Sequence, residues 1–464
     1  MAEGNWQQAR LIPTSGINGA QEQERRATSA LLAVMRAVKE FGRSLTKALG
    51  AHAGEISTFI EVEFDLDGKK VIPDGLIRVV RGGKSWTALV EVKTGRNDLG
   101  TDQLENYLEV ARRNGIQALL TISNQTSSTA GVHPTAIDKK KLKHVQLHHM
   151  AWNEVLSLAV LEKEHRGVAD PDQAYILGEL IRYLEHPRSG ALDFDDMGTS
   201  WVPVRNAVAD GTLRSTNKAA AEVAGRFDAL LRFAALQLGT RLGIETSVVL
   251  TRKEAADPDS RLQSHVADMV EQGRLRGSLR IPNTVGALNI VVDLRARQVS
   301  CSVDIDAPRE GKSTTKVNWL VRQLKSADAK ARLECNVLSQ RGSGASDLLG
   351  RVREKPELLI VDPAKDIRSF TVATMQPMGL KGGRGQGTFI DSFLTSIDVF
   401  YTDVLQGLKA WSAKPPRMRE QTDVTELARD QDVTPALIST GLSSQDGVLL
   451  PPAPPEVEAL AALA

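Results

Sequence analysis

The chain has 464 residues, 58 Lys and Arg against 57 Asp and Glu, a formal net charge of +1 and only 4% aromatic residues. At roughly 100–200 residues per domain this is length for two to four domains, and the charge balance excludes a uniformly basic, histone-like binder, so any nucleic-acid contact must come from local patches. Two cysteines, Cys301 and Cys335, cannot build a disulfide framework, a four-thiolate zinc site or an iron–sulfur cluster.

Residues 1–20 are polar, rich in Gly, Ser and Asn, and read as a flexible arm. They show no basic region followed by an apolar stretch, and the chain has no apolar run of about 20 residues; no signal peptide, no membrane partner and a cytoplasmic setting are expected. From residue 21, Leu31, Leu32, Met35, Val38, Phe41 and Leu45 recur at helical spacing up to Gly50. Three strands follow, at residues 58–66, 71–80 and 86–93, separated by the turn signals Asp67-Gly68 and Gly82-Gly83. An amphipathic helix spans residues 99–113 and ends at Asn114-Gly115, a C-capping pair. Residues 116–122 and 144–150 read as strands, and 152–162 and 172–185 as helices. This order predicts an α/β domain with a mixed sheet flanked by helices, over residues 21–187.

The Pro, Ser, Gly and Asp content after Pro187 predicts a linker over 188–213. Residues 214–413 then read as an α+β domain of unknown role: a long helix at 215–242, a strand at 245–250, a helix near 260–273 and strands at 278–281, 287–294 and 298–305. A helix at 314–324 and strands at 331–337, 358–361 and 369–373 come next, with a final helix at 389–411. Residues 414–464 carry Pro451-Pro452-Ala453-Pro454-Pro455 and predict a disordered tail.

Chemistry concentrates in the first domain. Glu91 and Lys93 are two apart on a strand, so both leave one face while Val92 faces the other. The Gly-Gly hairpin makes the strand carrying Asp74 an antiparallel neighbour, and side chains opposite each other across strands lie about 5 Å apart. Two carboxylates at that distance repel unless a divalent cation with oxygen ligands, Mg²⁺ or Mn²⁺, joins them. Lys93 beside such an ion would orient a water or stabilise a phosphorane-like transition state. Gln103 and Tyr107, four apart on the next helix, share a face that can lie over this edge and reach a phosphate or base.

Pro73-Asp74-Gly75, then Glu91-Val92-Lys93-Thr94-Gly95, then Gln103 and Tyr107 in the spacing Gln-x-x-x-Tyr resemble the PD-(D/E)XK nuclease superfamily, and its RecB-like branch most closely. The resemblance covers about residues 20–165. It implies a restriction-endonuclease-like fold, metal ligation by Asp74 and Glu91, water activation or charge stabilisation by Lys93, and substrate contact by Gln103 and Tyr107. It also implies a first-helix glutamate, for which Glu22, Glu24 and Glu40 are candidates and Glu24, before Leu31-Leu32, is preferred. Some RecB-like nucleases carry an iron–sulfur cluster; without the cysteines, none is expected here. The implied reaction is metal-dependent hydrolysis of a phosphodiester, leaving a 3′-hydroxyl and a 5′-phosphate, with DNA favoured over RNA and defence or repair as the setting.

Weaker signals stand beside simpler readings. Lys139, Lys140 and Lys141 form a basic run that either contacts phosphate or is a solvated loop. His144, His148 and His149 lack a cysteine partner, and adjacent histidines on a strand face opposite ways, which argues against a metal site. The glycine-rich residues 381–387 lack a Gly-Lys-Ser/Thr ending, so no nucleotide site is expected. Alternative readings of the whole chain are an inactive nucleic-acid-binding or regulatory protein on the same fold, and an interaction scaffold whose C-terminal domain takes a protein partner or a second copy.

Overall fold

A computed structural model describes residues 7–8, 20–95, 97–125, 133–186, 188–191, 194–337, 344–360, 362 and 365–413. The expected tail lies outside these residues, and so does the expected arm apart from Gln7–Gln8 and Ala20. Gln7–Gln8 (β1) is a short edge strand paired with the next strand of the first sheet.

The apolar stripe that begins near residue 21 folds as two helices rather than one, Ala20–Ala37 (α1) and Lys39–Ala48 (α2). Between them Val38 is extended (φ −104°, ψ 101°), and its buried side chain joins Leu31, Leu32, Met35, Phe41 and Leu45 in one core. A β-branched residue tolerates this extended geometry, and the break lets both helices face that core.

The expected strand 58–66 is likewise divided. Glu55–Ile60 (β2) stops at Glu61, which has φ +49°, and Phe64–Leu66 (β3) pairs with Lys69–Val71 (β4) as a separate hairpin. Asp67 and Gly68 at its tip both have positive φ, as a tight two-residue turn of this hand requires. Gly75–Arg81 (β5) turns through Gly82-Gly83 into Lys84–Val92 (β6), with Arg81 opposite Lys84. Thr101–Arg113 (α3) then crosses to Ala118–Ser123 (β7), parallel to β6, and Gln146–Ala151 (β8) lies parallel to β7. Trp152–Val160 (α4) and Pro171–Glu185 (α5) follow. The result is a mixed sheet in the order β1-β2-β5-β6-β7-β8. One face packs on α1, α2, α4 and α5, and the other on α3 through Leu104, Leu108 and Ala111.

The stretch expected to be a linker does not behave as one. Its second half is helix Trp201–Ala209 (α6), and Phe194, Met197, Trp201, Val204, Val208 and Leu213 are buried in the second core. Trp201 stacks on Phe389 at 4.3 Å between ring centroids. That core lies under an antiparallel sheet. Its chain order is Lys218–Leu242 (α7), Ser247–Val248 (β9), Arg252–Ala256 (α8), Pro258–Glu271 (α9), Arg274–Arg280 (β10), Leu288–Asp293 (β11), Gln298–Asp306 (β12), Ser313–Gln323 (α10), Arg332–Val337 (β13), Ala345–Leu348 (β14), Leu349–Glu354 (α11), Ile367–Pro377 (β15) and Phe389–Asp403 (α12). The strand order is β14-β13-β15-β12-β11-β10-β9. Of the strand expected at 358–361, Leu358 and Leu359 close a 3₁₀ turn that starts at Pro356, and residue 361 lies outside the described residues. Both cysteines are buried free thiols on this sheet. Among the described residues no helix is long and apolar enough to cross a membrane.

Candidate active site

The β5–β6 register pairs Gly75 with Val90, which sets Asp74 opposite Glu91 at the mouth of the hairpin. The same row continues across the parallel strands, with Glu91 beside Thr121 and Thr121 beside His149. Val90 and Val92 point into the α1 side of the sheet, so period-two alternation turns Glu91 and Lys93 to the α3 side.

Glu91 is 1% exposed. Its Oε1 accepts from Lys93 Nζ at 2.7 Å and from Gln103 Nε2 at 2.8 Å, while its Oε2 is buried with no hydrogen-bond partner among the described residues. Asp74 Oδ2 accepts from the Val92 N–H at 2.8 Å. Burial, and after it the charge of Glu91, pushes the Asp74 carboxyl up to about 8; the Val92 N–H and the Lys93 ammonium pull the other way. For Lys93, burial disfavours the ammonium, but Glu91, Asp74 and Glu24 outweigh it and hold the group above the usual lysine value. The lysine therefore stays protonated and acts as a fixed positive charge.

Of the three candidate glutamates, Glu24 is the one at the site. Its Oε2 lies 3.5 Å from Lys93 Nζ, and its Oε1 accepts from Asn97 Nδ2 at 2.7 Å and the Thr94 N–H at 3.5 Å. Glu22 is paired with Arg26, and Glu40 accepts from the Ala169 N–H at 3.4 Å. The three acidic residues of the expected metal set do not close into one cage: among the described residues no group of three or more His, Cys, Asp or Glu stands arranged to hold a metal. The physical reason is visible in the bonds, because the Lys93 ammonium touches Glu91 and sits between it and Glu24. Asp74 and Glu91 by themselves fit a hard divalent ion. Their donors are all carboxylate oxygens, and Glu91 Oε2 is an orphaned buried acceptor of the kind a cation would satisfy.

Gln103 and Tyr107, the expected substrate contacts, both reach this site. Gln103 Nε2 donates to Glu91 and to Tyr107 Oη at 2.9 Å, and the Tyr107 hydroxyl donates to the Ile72 carbonyl at 3.3 Å. Tyr107 is 5% exposed, and burial, then Glu91, holds its phenol above the usual value. The pair is a brace that fixes the Glu91 carboxylate. Lys139, Lys140 and Lys141 are exposed before β8; Lys141 pairs with Glu105 at 2.8 Å, and no bond among those described joins the three to the carboxylates.

Sequence reasoning missed the polar row beyond Glu91. His149 Nε2 lies 2.7 Å from the Gln125 carbonyl, which only accepts, so that nitrogen carries the hydrogen. His133 Nδ1 lies 3.0 Å from the Thr135 backbone N and 3.1 Å from the Thr135 carbonyl oxygen, and its Nε2 lies 2.8 Å from Thr121 Oγ1. Thr121 Oγ1 donates to the His148 carbonyl at 3.1 Å and also lies 2.9 Å from His149 Nδ1. Burial lowers the His133 pKa and brings that of His149 down to about 4. Adjacent histidines on an expected strand were a signal of sorts; the threonine between the rings comes from a neighbouring strand and was not.

Comparison of the chain with protein-family models, curated proteins and solved structures gives no match to any of the three.

Proposed function

We propose that the chain is a metal-dependent nuclease with a restriction-endonuclease-like N-terminal unit of the RecB-like PD-(D/E)XK kind, hydrolysing phosphodiester bonds, of DNA in preference to RNA. The observation that carries the reading is the convergence of Asp74, Glu91 and Lys93 at the mouth of one hairpin, with Glu91 Oε2 buried and unpartnered. Buried like charges destabilise a fold, and an active site is where such a cost is retained. Asp74 and Glu91 would hold Mg²⁺ or Mn²⁺, which when bound supplies a Lewis acid at the phosphate and an acidified water.

The chain's own residues supply the rest. Lys93, kept as an ammonium, donates one hydrogen to Glu91 and has two more for a phosphate oxygen or a water, which stabilises the charge that builds on the phosphoryl group. Gln103, braced by Tyr107, keeps the Glu91 carboxylate from rotating. Glu24 orders the Thr94–Asn97 turn next to Lys93 and sets the ammonium between two carboxylates. The test is incubation of the full chain with plasmid and with end-labelled single strands, with and without Mn²⁺. Metal-dependent products that vanish in Glu91→Ala support the reading, and undiminished cleavage by that variant rejects it.

A further inference from the structure

Lys93 is the first residue beyond β6, so its backbone depends on bonds from outside the hairpin. Its N–H donates to the Ile122 carbonyl at 2.7 Å, which continues the parallel ladder. Its carbonyl accepts from the indole Nε1–H of Trp152 at 2.9 Å. Trp152 is 1% exposed and opens α4. Two residues on, Glu154 Oε2 accepts from the Ala151 N–H at 3.2 Å, closing the first turn of α4, and Glu154 Oε1 meets Arg232 Nη2 of α7 at 2.9 Å. A cleft of about 500 Å³ opens between α4, α5 and α7, lined by Trp152, Leu156, Phe233 and Leu236 among others. Beside this cleft the half-buried Glu154–Arg232 pair joins α4 to α7.

We propose that the first turn of α4 is a strut that positions Lys93. Trp152 is the positioning residue, and Arg232, on a helix of the second sheet's layer, acts through it. This rests on the nuclease reading and assigns the C-terminal half a role at the same site. The indole N–H ties the backbone of the residue that carries the ammonium to the first turn of α4.

The experiment uses the full chain with Mn²⁺ and a nicked-plasmid assay, together with hydrogen–deuterium exchange. Benzothienylalanine at position 152 removes the donor at constant bulk, whereas Trp152→Phe removes the donor and trims the ring. Its kcat should fall about tenfold, the weight of one buried hydrogen bond, with KM within twofold, and exchange should rise over residues 93–95 while β10–β12 stay unchanged. Arg232→Met should lower kcat about threefold with the same exchange pattern, and the double variant should be no slower than Trp152→Phe, because two residues acting on one carbonyl are not additive. Should Trp152→Phe misfold, benzothienylalanine at position 152, which replaces the N–H by sulfur, gives the same comparison. Turnover within twofold of wild type, exchange unchanged at 93–95, or multiplying effects of the two variants would overturn the strut. A wild-type chain that cleaves nothing would instead defeat the nuclease reading, and the exchange comparison would still decide whether Trp152 holds Lys93.

Discussion

At the residue scale the site is an electrostatic compromise. Two carboxylates and an ammonium are gathered where water is scarce, and neither Asp74 nor Lys93 keeps its ordinary proton affinity. On the proposed nuclease reading the ammonium stabilises negative charge on the phosphoryl group, so Lys93→Ala should lower kcat by about 10²–10³-fold without unfolding the chain, a split read by steady-state cleavage beside circular dichroism. The neutral histidine row makes a second prediction. His149 titrates near 6.5 when unfolded and about 4 when folded, so between those values the unfolded chain binds the extra proton. Stability is therefore fully present above pH 6.5 and falls as pH drops toward 4, by up to about 3 kcal/mol. Urea unfolding at pH 7.5 and pH 5 should show about 2 kcal/mol of that loss in wild type and less in His149→Gln. Asp74, Glu91 and Lys93 were legible in the sequence because a period-two strand and a glycine hairpin fix their faces locally. Thr121, His133 and Trp152 were not, because each reaches its partner through strand pairing or helix docking that no local pattern records.

At the scale of elements, the hairpins were the most readable features. Asp67-Gly68 and Gly82-Gly83 supply the positive-φ positions or the chain freedom that two-residue turns demand, and both turns stand where the sequence puts them. The divisions at Val38 and Glu61 were hidden, since a continuous apolar stripe or an alternating run carries no mark for a break that tertiary packing imposes. Gly75 teaches a similar lesson. The strand expected at 71–80 is broken after Val71 and resumes at Gly75, where a Cβ would lie 2.4 Å from Leu32 Cδ1 and 3.2 Å from the Phe59 carbonyl oxygen. The glycine lets α1 close on the sheet behind Asp74. Gly75→Ala should destabilise by about 1–3 kcal/mol, the range for overpacking a filled core, and thermal unfolding would read it.

At the scale of the whole molecule, composition around Pro187 suggested a joint. What composition could not show is that Trp201 and its neighbours are core residues of the second sheet, since the stacking partner Phe389 is far along the sequence. Trp201→Ala should therefore destabilise by about 3–5 kcal/mol, far beyond what a solvated linker would register in denaturant titration. The connecting residues also touch the candidate site: the Gly190 carbonyl accepts from the Gly95 N–H at 2.9 Å and from Asn124 Nδ2 at 2.7 Å, and Gln23 Nε2 donates to the Arg188 carbonyl at 2.8 Å. The turn after Lys93 is thus pinned by chain on its way to the second core. The measurement that bears most directly on the account is the fate of supercoiled plasmid incubated with Mn²⁺ and either wild type or Glu91→Gln, which has the same shape without the charge. Nicked or linear product from wild type alone, with both proteins equally folded, is the predicted result. Equal cutting by both, or intact plasmid and intact single strands with wild type, would contradict it.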